Sequence, residues 1–454
     1  MLNPSLIKEL RRIVGPGHVF TSPEDLIVYS YDATRMESMP EAVVRPATAR
    51  EISEIVLLAN REGFPVVPRG AGSGMSGGSV PIKGGVIISL ERMNKIISIK
   101  EDDMIAEVEP GVVTGEFQRK VEAKGLFYPP DPGSRDFCTI GGNIAECAGG
   151  LRAVKYGVTR DYVLGMEVVI PTGDIAFTGA RTMKSVAGYD LTRLIIGSEG
   201  TLGIMTMAVL KLLPLPESVG TLGAFFPDVA GAASAASTII SMRMLPRALE
   251  IMDGYALRAV EGYLKKDVSG GAGAMLVIEV DGPAVVVEQD MARIERILRE
   301  AGSSAVLTAT ETAERENIWK ARRAISPALY AMKPNKINED IVVPRSKVSA
   351  VLSRIDEIGR RRGLLIVNFG HAGDGNIHTN IMIEEDERSN AEAAVREIFE
   401  AVLSMNGSIS GEHGIGISKA AYLPMEVGSA ALDAMKSIKN ALDPNNVMNP
   451  GKIF

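Results

Sequence analysis

The segment that most restricts the fold of this chain is a glycine-rich loop, VVPRGAGSGMSGGS, which contains Gly70, Gly72, Gly74, Gly77 and Gly78. Three of these glycines satisfy the G-x-G-x-x-G pattern of dinucleotide-binding Rossmann folds, in which a helix follows the loop and receives the pyrophosphate. Here SVPIKGGVIISL follows, with a proline and then a strand pattern. The Rossmann interpretation therefore fails on context. A flexible surface loop remains possible, but consecutive backbone N–H groups in such a loop also bind phosphate without any helix.

Hydrophobic periodicity divides the chain into two regions that differ in their predicted secondary structure. From residue 41 to about 216 the pattern predicts short strands, for example at 64–68, 85–90, 105–108 and 162–170, with two obvious helices at 48–61 and 115–124. Pro214 and Pro216 then disfavour both helix and interior strand, so we expect a boundary near residue 217.

Beyond this boundary long helices alternate with single strands, which predicts an α+β domain with one sheet covered by helices. The expected helices are 230–244, 285–302, 313–332, 347–362 and 390–405, followed by a closing helix. The expected domain ranges are an N-terminal helical lead at 1–37, a first domain at 38–217 and a second at 218–454.

Composition excludes several classes of protein. The net charge of −7 gives no basic surface for nucleic acid or anionic lipid, and 46% hydrophobic residues argue against disorder. Two cysteines, Cys138 and Cys147, are too few for a disulfide scaffold or for an iron–sulfur cluster. No apolar run approaches the roughly 18 residues of a membrane span, and the first 15 residues resemble an amphipathic helix rather than a signal peptide. We expect a cytoplasmic protein, with peripheral attachment to a membrane through a partner left open.

Three of the four histidines, His371, His378 and His413, fall between residues 371 and 413. NIHTNIMI alternates, so His378 and Asn380 point to one face of a predicted strand. The sequence AGDGN can close a hairpin that brings His371 alongside His378. Two histidines and the carboxylate of Glu412 are a donor set for Zn²⁺, Mn²⁺ or Fe²⁺. The alternative is three hydrogen-bonded histidines in glycine turns.

Four motifs in order resemble one known family. PRGAGSGMSGG, PPDPGS with TIGGNIAE, and GYDLTRLIIGSEGTLGI are similar to the flavin-binding domain of vanillyl-alcohol oxidase and p-cresol methylhydroxylase. Together with GHAGDGNIH and GEHGIG they resemble FAD-linked D-2-hydroxyacid dehydrogenases, a family that includes the glycolate oxidase catalytic subunit, D-lactate dehydrogenase and D-2-hydroxyglutarate dehydrogenase. The resemblance runs from about residue 38 to the C-terminus. It implies a two-part FAD-binding domain, an α+β substrate or cap domain, and a C-terminal helical segment that returns to the flavin.

The resemblance implies FAD-binding roles for residues in each of these motifs. The expected FAD contacts are Arg69, Gly70, Ala71, Gly72, Ser73, Gly74, Ser76, Pro130, Ser134, Thr139, Gly141, Gly142, Asn143, Gly149, Gly150, Gly157, Glu199, Gly203, Ile204, Asn449 and Lys452. Some relatives attach FAD covalently through histidine or cysteine. Neither type occurs in residues 69–79, so we expect non-covalent FAD.

The resemblance also implies a metal and catalytic set. His371, His378 and Glu412 match metal-ligand positions, and His413 matches the catalytic base. IWKARRAIS resembles a W-x-x-R segment that assigns the substrate arginine to Arg322, although spacing alone fits a solvated arginine equally well. Asn380 is expected to orient the substrate with Arg322.

One departure from the family bears on the substrate. Some relatives have a lysine, which helps to bind a second carboxylate, two residues before the aspartate of the motif that matches EDIVVP. Counting without a gap puts Asn338 there in this chain, although Lys336 is near. This favours a monocarboxylate such as D-lactate or glycolate. The D preference comes only from the resemblance.

The resemblance implies oxidation to a 2-oxoacid, with electrons passed to an electron-transfer flavoprotein, an iron–sulfur subunit or a quinone. Two alternatives stay open. One is an FAD oxidase that uses O₂ on an alcohol or sugar, and the other is a non-catalytic flavin subunit of a larger complex. The sequence also leaves homodimerisation open.

Overall fold

The structure is a computed structural model, and it describes residues 2–454. Its helices are α1 (Pro4–Val14), α2 (Pro23–Leu26), α3 (Ala49–Glu62), α4 (Thr114–Glu122), α5 (Ile140–Glu146), α6 (Ala153–Tyr156), α7 (Leu191–Ile195), α8 (Val229–Ser241), α9 (Gly254–Leu264), α10 (Ala284–Glu300), α11 (Thr312–Leu329), α12 (Val348–Arg362), α13 (Arg388–Ser404), α14 (Leu423–Glu426) and α15 (Ser429–Leu442). Its strands are β1 (Val19–Phe20), β2 (Ala42–Val44), β3 (Val66–Arg69), β4 (Val86–Ser89), β5 (Ile96–Lys100), β6 (Ile105–Val108), β7 (Leu126–Phe127), β8 (Val163–Val169), β9 (Ile175–Gly179), β10 (Ile204–Lys211), β11 (Leu213–Pro214), β12 (Ser218–Phe226), β13 (Ala248–Asp253), β14 (Ala274–Gly282), β15 (Ala305–Ala309), β16 (Asn335–Val342), β17 (Leu365–His371) and β18 (Asn376–Ile383).

The chain forms two compact units, and each is discontinuous in sequence. The first contains Met1–Gly149, Val158–Leu215 and Glu412–Phe454, and the second contains Gly150–Gly157 and Pro216–Gly411. The units therefore do not coincide with three contiguous ranges, because the chain leaves and re-enters the first unit twice. The contiguous domain ranges expected from the sequence stay a prediction.

The first unit contains two main sheets. Strands β1, β2, β4 and β3 form a four-stranded sheet in that order, with parallel pairing among β2, β4 and β3. Strands β5, β6, β10, β8 and β9 form an antiparallel five-stranded sheet. The smaller pair β7 and β11 completes the sheets of this unit within the described residues.

Helix α3 forms where its sequence pattern predicts a helix, and it shares a hydrophobic core with the four-stranded sheet. Thr48 caps the N-terminus, its side chain accepting from the N–H of Glu51, and Gly63 ends the helix in the left-handed conformation at φ +73°. The apolar side of the helix, which includes Ile52 and Ile55, is fully buried in the core of this unit.

The chain terminus joins the same core. Val447 and Met448 are part of this core. Two backbone hydrogen bonds join the C-terminal segment to β3: Val66 N donates to Val447 O, and Asn449 N donates to Val66 O, both at 2.8 Å. The C-terminal segment therefore docks against β3, immediately before the glycine-rich loop.

The second unit is built on one antiparallel seven-stranded sheet in the order β15, β12, β14, β13, β17, β18, β16. Helices cover both faces of it. Gly220 of β12 faces Met291 of α10, whereas Gly223 faces Ile318 of α11. Residues an odd number apart in a strand point to opposite faces, so α10 and α11 lie on opposite sides.

Periodicity did not predict three short helices between residues 41 and 216, namely α5, α6 and α7. These helices have seven, four and five residues. They are too short to display a helical repeat. The two obvious helices expected in that region, 48–61 and 115–124, are confirmed as α3 and α4, and these three short helices are additional. No helix within residues 2–454 combines the length and apolar character needed to cross a membrane.

Candidate active site

The glycine-rich loop connects the parallel strands β3 and β4 directly. A strand rather than a helix follows it, which confirms that the loop is not a Rossmann turn. Arg69, the last residue of β3, is buried, and its guanidinium Nη1 donates to Ser79 Oγ at 3.2 Å at the far side of the loop. The arginine therefore fixes the two ends of the loop relative to each other.

Ser76 lies within this loop and is fully buried. Its carbonyl oxygen accepts hydrogen bonds from Ile417 N at 2.7 Å and Ser418 N at 3.1 Å. Its hydroxyl Oγ has no hydrogen-bond partner among residues 2–454. A buried hydroxyl without a partner costs free energy, so a loop of this kind suits an oxygen-rich ligand such as a phosphate group.

Helix α5 lies directly beside the start of the loop. Thr139 caps this helix, accepting from Gly142 N at 3.3 Å, and Asn143 Nδ2 donates to Thr114 Oγ1 at 2.7 Å. A Cβ at Gly70 would lie 2.4 Å from Thr139 Oγ1. The backbone of the loop can approach α5 this closely only because residue 70 has no side chain.

Glu199 and Asn449 join the loop to the C-terminal segment. Asn449 Nδ2 donates to Gly78 O at 2.9 Å and to Glu199 O at 2.7 Å, and Glu199 Oε1 accepts from Ile415 N at 2.8 Å. Burial raises the pKa of Glu199 to about 7, although backbone hydrogen bonds oppose the rise. Burial also lowers the pKa of Lys452, whose ammonium donates to Val80 O and Asn449 Oδ1, to about 8.

The structure brings together predicted FAD residues that are far apart in sequence: the loop at 69–78, the start of α5, Glu199 and Asn449. The other predicted FAD residues of the first unit are Ala71, Gly72, Ser73 and Gly74 in the loop, Pro130, whose carbonyl accepts from Gln118 Nε2, Ser134, Gly141, Gly149, Gly203 and Ile204, the first residue of β10. Gly150 and Gly157 belong instead to a short segment that groups with the second unit.

In the second unit, β17 and β18 form the predicted hairpin. A Cβ at Gly375, in the turn at φ +91°, would lie 2.0 Å from Val343 O, so only glycine fits there. The pairing puts Phe369 opposite His378 and brings the rings of His371 and His378 to 5.2 Å between centroids, edge to face. Both histidines are buried.

Glu412 directly follows Gly411, the last residue of the second unit, whose N–H donates to Asp340 Oδ2 at 2.9 Å. Within the second unit the imidazoles of His371 and His378 are adjacent, and Glu412 follows that unit directly in the chain. Two imidazoles and one carboxylate are a donor set that suits a divalent transition metal or zinc.

Glu250 of β13 lies next to His371, and the sequence analysis did not identify it as a site residue. Its carboxylate is fully buried, with Oε1 2.6 Å from His371 Nδ1 and Oε2 accepting from Arg322 Nε at 2.8 Å. Burial opposes ionisation, but the charges and hydrogen bonds of His371 and Arg322 outweigh it and hold the pKa of Glu250 below its usual value. The available signal was a glutamate flanked on both sides by apolar residues in RALEIMD.

Arg322 is the arginine of α11 that points into this cluster. Its guanidinium carbon lies 4.7 Å from the centre of the Phe369 ring, and its side chain is 12% exposed, whereas that of Arg323 is 49% exposed and pairs with Glu316. Arg322, the arginine that the W-x-x-R segment assigns, is therefore largely shielded from solvent, whereas Arg323 is exposed. Arg322 suits recognition of a carboxylate because its guanidinium offers paired donors.

Asn380 lies two residues after His378 on the same face of β18. It is fully buried, and its Oδ1 has no hydrogen-bond partner among residues 2–454. A buried amide oxygen in this state is suited to a ligand with a hydroxyl or N–H donor. Of the residues predicted for catalysis, Arg322 and Asn380 belong to the second unit, while His413 belongs to the first.

The fold has two units and two residue clusters, one around the glycine-rich loop and one around His371 and His378. Together they define the class of protein, that of flavoprotein oxidoreductases with two domains. The chain matches the family described as "FAD binding domain" over residues 40–179 and that described as "FAD linked oxidases, C-terminal domain" over residues 215–453. The chain therefore belongs to the FAD-linked oxidase family, is an enzyme of that family and uses FAD as its cofactor.

Three relatives are similar over their full length. The chain is 45% identical to glycolate oxidase subunit GlcD of Bacillus subtilis, covering 100% of this chain and 97% of the relative. It is 35% identical to a D-lactate dehydrogenase of Anaerostipes hadrus, covering 100% and 98%. It is 35% identical to a D-2-hydroxyglutarate dehydrogenase of Stutzerimonas stutzeri, covering 100% of both chains. The family resemblance expected from the motifs is thus confirmed.

A solved structure of p-cresol methylhydroxylase superposes with a TM-score of 0.82 at 19% identity, covering 99% of this chain and 96% of that chain. This likeness concerns the fold alone. It confirms the expected α+β class with a two-part FAD-binding domain of this type.

Proposed function

We propose that this chain oxidises a small 2-hydroxyacid, D-lactate or glycolate, to the corresponding 2-oxoacid. The names of the three relatives support this substrate class. The observation that carries the proposal is the set of His371, His378 and Asn380, which are buried on one face of the sheet, together with Arg322 of α11, whose guanidinium lies over Phe369 on that face. An oxidase of alcohols or sugars has no need of that combination of metal donors and carboxylate-binding arginine.

The proposed cofactors are non-covalent FAD and one divalent cation. In the first unit Arg69, Ser76, Thr139, Glu199 and Asn449 would contact FAD. His371, His378 and Glu412 would bind the cation, and the donor set suits Zn²⁺ or Mn²⁺/Fe²⁺. When bound, FAD accepts hydride from C2 of the substrate, and the cation acts as a Lewis acid toward the substrate hydroxyl.

The remaining roles fall to side chains of the protein. Arg322 would bind the substrate carboxylate through its terminal N–H groups while its Nε donates to Glu250. Asn380, which lies on the same face of β18 as His378, would orient the acid together with Arg322. His413 would remove the hydroxyl proton, a task for which imidazole is suited near neutral pH. These contacts hold the acid in one orientation, which lowers the entropic cost of reaction.

Reduced FAD must pass its electrons on. Cys138 and Cys147 are buried free cysteines and cannot assemble a cluster by themselves. We therefore propose an external acceptor, either an electron-transfer flavoprotein, an iron–sulfur subunit or a quinone. This assignment predicts poor reoxidation by NAD⁺, and rapid NADH formation by the isolated chain would contradict it.

The test is the visible flavin spectrum of the purified, metal-loaded protein, recorded anaerobically before and after addition of D-lactate, glycolate, L-lactate or D-2-hydroxyglutarate. We expect bleaching, fastest with D-lactate or glycolate. Flavin that none of the four acids bleaches would overturn the hydroxyacid assignment and favour the oxidase or the non-catalytic subunit.

The proposed metal ligands are tested separately, by comparing the metal content of two histidine variants. His378→Ala should lose stoichiometric Zn²⁺ or Mn²⁺ in direct metal analysis while retaining FAD. His18→Ala is the matched control, because His18 lies at the end of a short 3₁₀ segment of the first unit, outside the cluster. Equal metal content in both variants would refute the assigned ligands.

A further inference from the structure

One buried carboxylate next to the site has no role in the chemistry proposed above. We propose that Glu250 is a positioning residue that sets the orientation of the metal ligand His371 and of the substrate arginine Arg322 at the same time. The inference rests on the proposed function and deepens it, because it couples cation binding to recognition of the substrate carboxylate through one side chain.

The contact with His371 determines which imidazole nitrogen faces the cation. Glu250 Oε1 and His371 Nδ1 are 2.6 Å apart, a hydrogen-bond distance at which the ring N–H donates and the carboxylate oxygen accepts, so the geometry assigns the hydrogen to Nδ1. A neutral imidazole then presents Nε2 as its acceptor nitrogen. Metal-binding histidines are held in this manner by a carboxylate partner, which fixes the ring and increases its basicity.

The second oxygen of the same carboxylate holds Arg322. Oε2 accepts from Nε at 2.8 Å, so this hydrogen bond uses Nε rather than a terminal nitrogen, and the guanidinium carbon lies 4.7 Å from the centre of the Phe369 ring. Arg322 is thus fixed by two contacts before any substrate binds. Recognition of a carboxylate by a preoriented arginine costs less side-chain entropy than recognition by a mobile one.

The backbone makes this arrangement rigid. Glu250 and His371 are direct register partners across the antiparallel strands β13 and β17. Such partners have their side chains on the same face, within a few ångströms of each other. Glu250 is 0% exposed, so water does not compete for either of its oxygens. The carboxylate is therefore held between its two partners by the sheet.

This sharing predicts a characteristic pattern across variants. Removing a ligand such as His378 should weaken cation binding, and replacing Arg322 by Met should raise KM without weakening cation binding. Glu250→Gln should do both, because the amide cannot accept from His371 and from Arg322 with both of its terminal atoms. A general loss of stability would not produce this division of effects.

The experiment uses the FAD-bound full chain with Glu250→Gln, Glu250→Asp, Arg322→Met and the control Glu279→Gln. Glu279 is a buried carboxylate on the adjacent strand β14, paired with Arg247 and hydrogen-bonded to Trp319, outside the cluster. The dissociation constant for Zn²⁺ is measured by competition with a chromophoric chelator, and KM for D-lactate is measured with an artificial dye as acceptor. FAD content and the melting temperature are recorded for every variant.

We expect Glu250→Gln to weaken Zn²⁺ binding by about 10- to 100-fold and to raise KM by about tenfold or more, with FAD content unchanged. Should Glu250→Gln fail to fold, Glu250→Asp carries the test. It keeps the buried charge but is one methylene shorter, and it should show both effects in weaker form. Wild-type values for Zn²⁺ affinity and KM in either folded variant, or losses no greater than those of Glu279→Gln, would overturn the proposal.

Failure of the proposed function is separable from failure of this inference. If the wild-type protein binds no stoichiometric cation and oxidises no hydroxyacid, the proposed function falls and this inference falls with it. If the wild-type protein does both and Glu250→Gln is unaffected, only the positioning role is refuted.

Discussion

Asn338 and Asn380 lie directly opposite each other across the antiparallel strands β16 and β18. Opposed residues in such a pair point to the same face, so residue 338 shares the face of the sheet that carries His378 and Asn380. The family resemblance implies that a lysine at this position helps to bind a second carboxylate. The structure therefore gives a geometric basis for testing how residue 338 affects substrate choice.

Asn338→Lys should shift the preference toward a dicarboxylate. A lysine ammonium on this face can pair with the distal carboxylate of D-2-hydroxyglutarate, which we expect to raise its kcat/KM relative to that of D-lactate by about tenfold. The control is Asn335→Lys, which adds the same charge three residues away on the opposite face of the strand. An equal change for both substrates would argue against a specificity role.

His413→Ala should abolish turnover without loss of FAD. Removing a general base costs about 10²- to 10⁴-fold in rate, and we expect anaerobic bleaching of the flavin by D-lactate to slow by a factor in that range. The flavin-to-protein absorbance ratio should equal that of the wild type, and His18→Ala should bleach normally. Full activity of His413→Ala would remove this residue from the mechanism.

Gly70→Ala should reduce FAD content. The added Cβ would lie 2.4 Å from Thr139 Oγ1, so the loop or the capping threonine must move, and loss of a helix cap costs about 1 kcal/mol. The ratio of flavin to protein absorbance measures the FAD content, and the melting temperature measures the loss of stability. Gly262→Ala in α9 is the control, because nothing lies within 4 Å of its added Cβ and alanine favours a helix by up to about 1 kcal/mol. Normal FAD content in Gly70→Ala would show that this close approach is dispensable.

Asp253 should make stability depend on pH. Its buried carboxylate accepts from Ala256 N and Asn368 N, and burial raises its pKa to about 6 despite these hydrogen bonds. The folded state then binds the proton more tightly than the unfolded state, in which the pKa is about 4. The contribution of Asp253 to the free energy of unfolding therefore decreases as pH rises from about 4 to about 6, and it stays at the lower value above that range.

Asp253→Asn removes this titration and keeps a side chain that can cap α9. We expect its melting temperature to rise relative to wild type between pH 4 and pH 6, by an amount corresponding to at most about 3 kcal/mol. Asp228→Asn, which changes the exposed cap of α8, should show no such divergence. A constant difference between Asp253→Asn and wild type across this pH range would refute the role of Asp253.

Much of the fold and of the candidate site follows from local pattern. The strand after the glycine loop excluded the Rossmann turn, the alternation in NIHTNIMI put His378 and Asn380 on one face, and AGDGN specified a hairpin. Each of these features depends on residues within a few positions of one another. Strand alternation and turn chemistry act over that distance, so they can be read directly from the chain.

The tertiary structure alone decided which distant segments are neighbours. Glu250 and His371 are separated by 121 positions and meet because β13 pairs with β17, a choice that no local periodicity encodes. Whether Arg322 is solvated or faces the cluster depended likewise on which side of α11 packs against the sheet. Strand order is set by how apolar faces are buried across the whole domain. The sequence thus determined the types of chemistry present, while long-range packing determined which groups share a carboxylate.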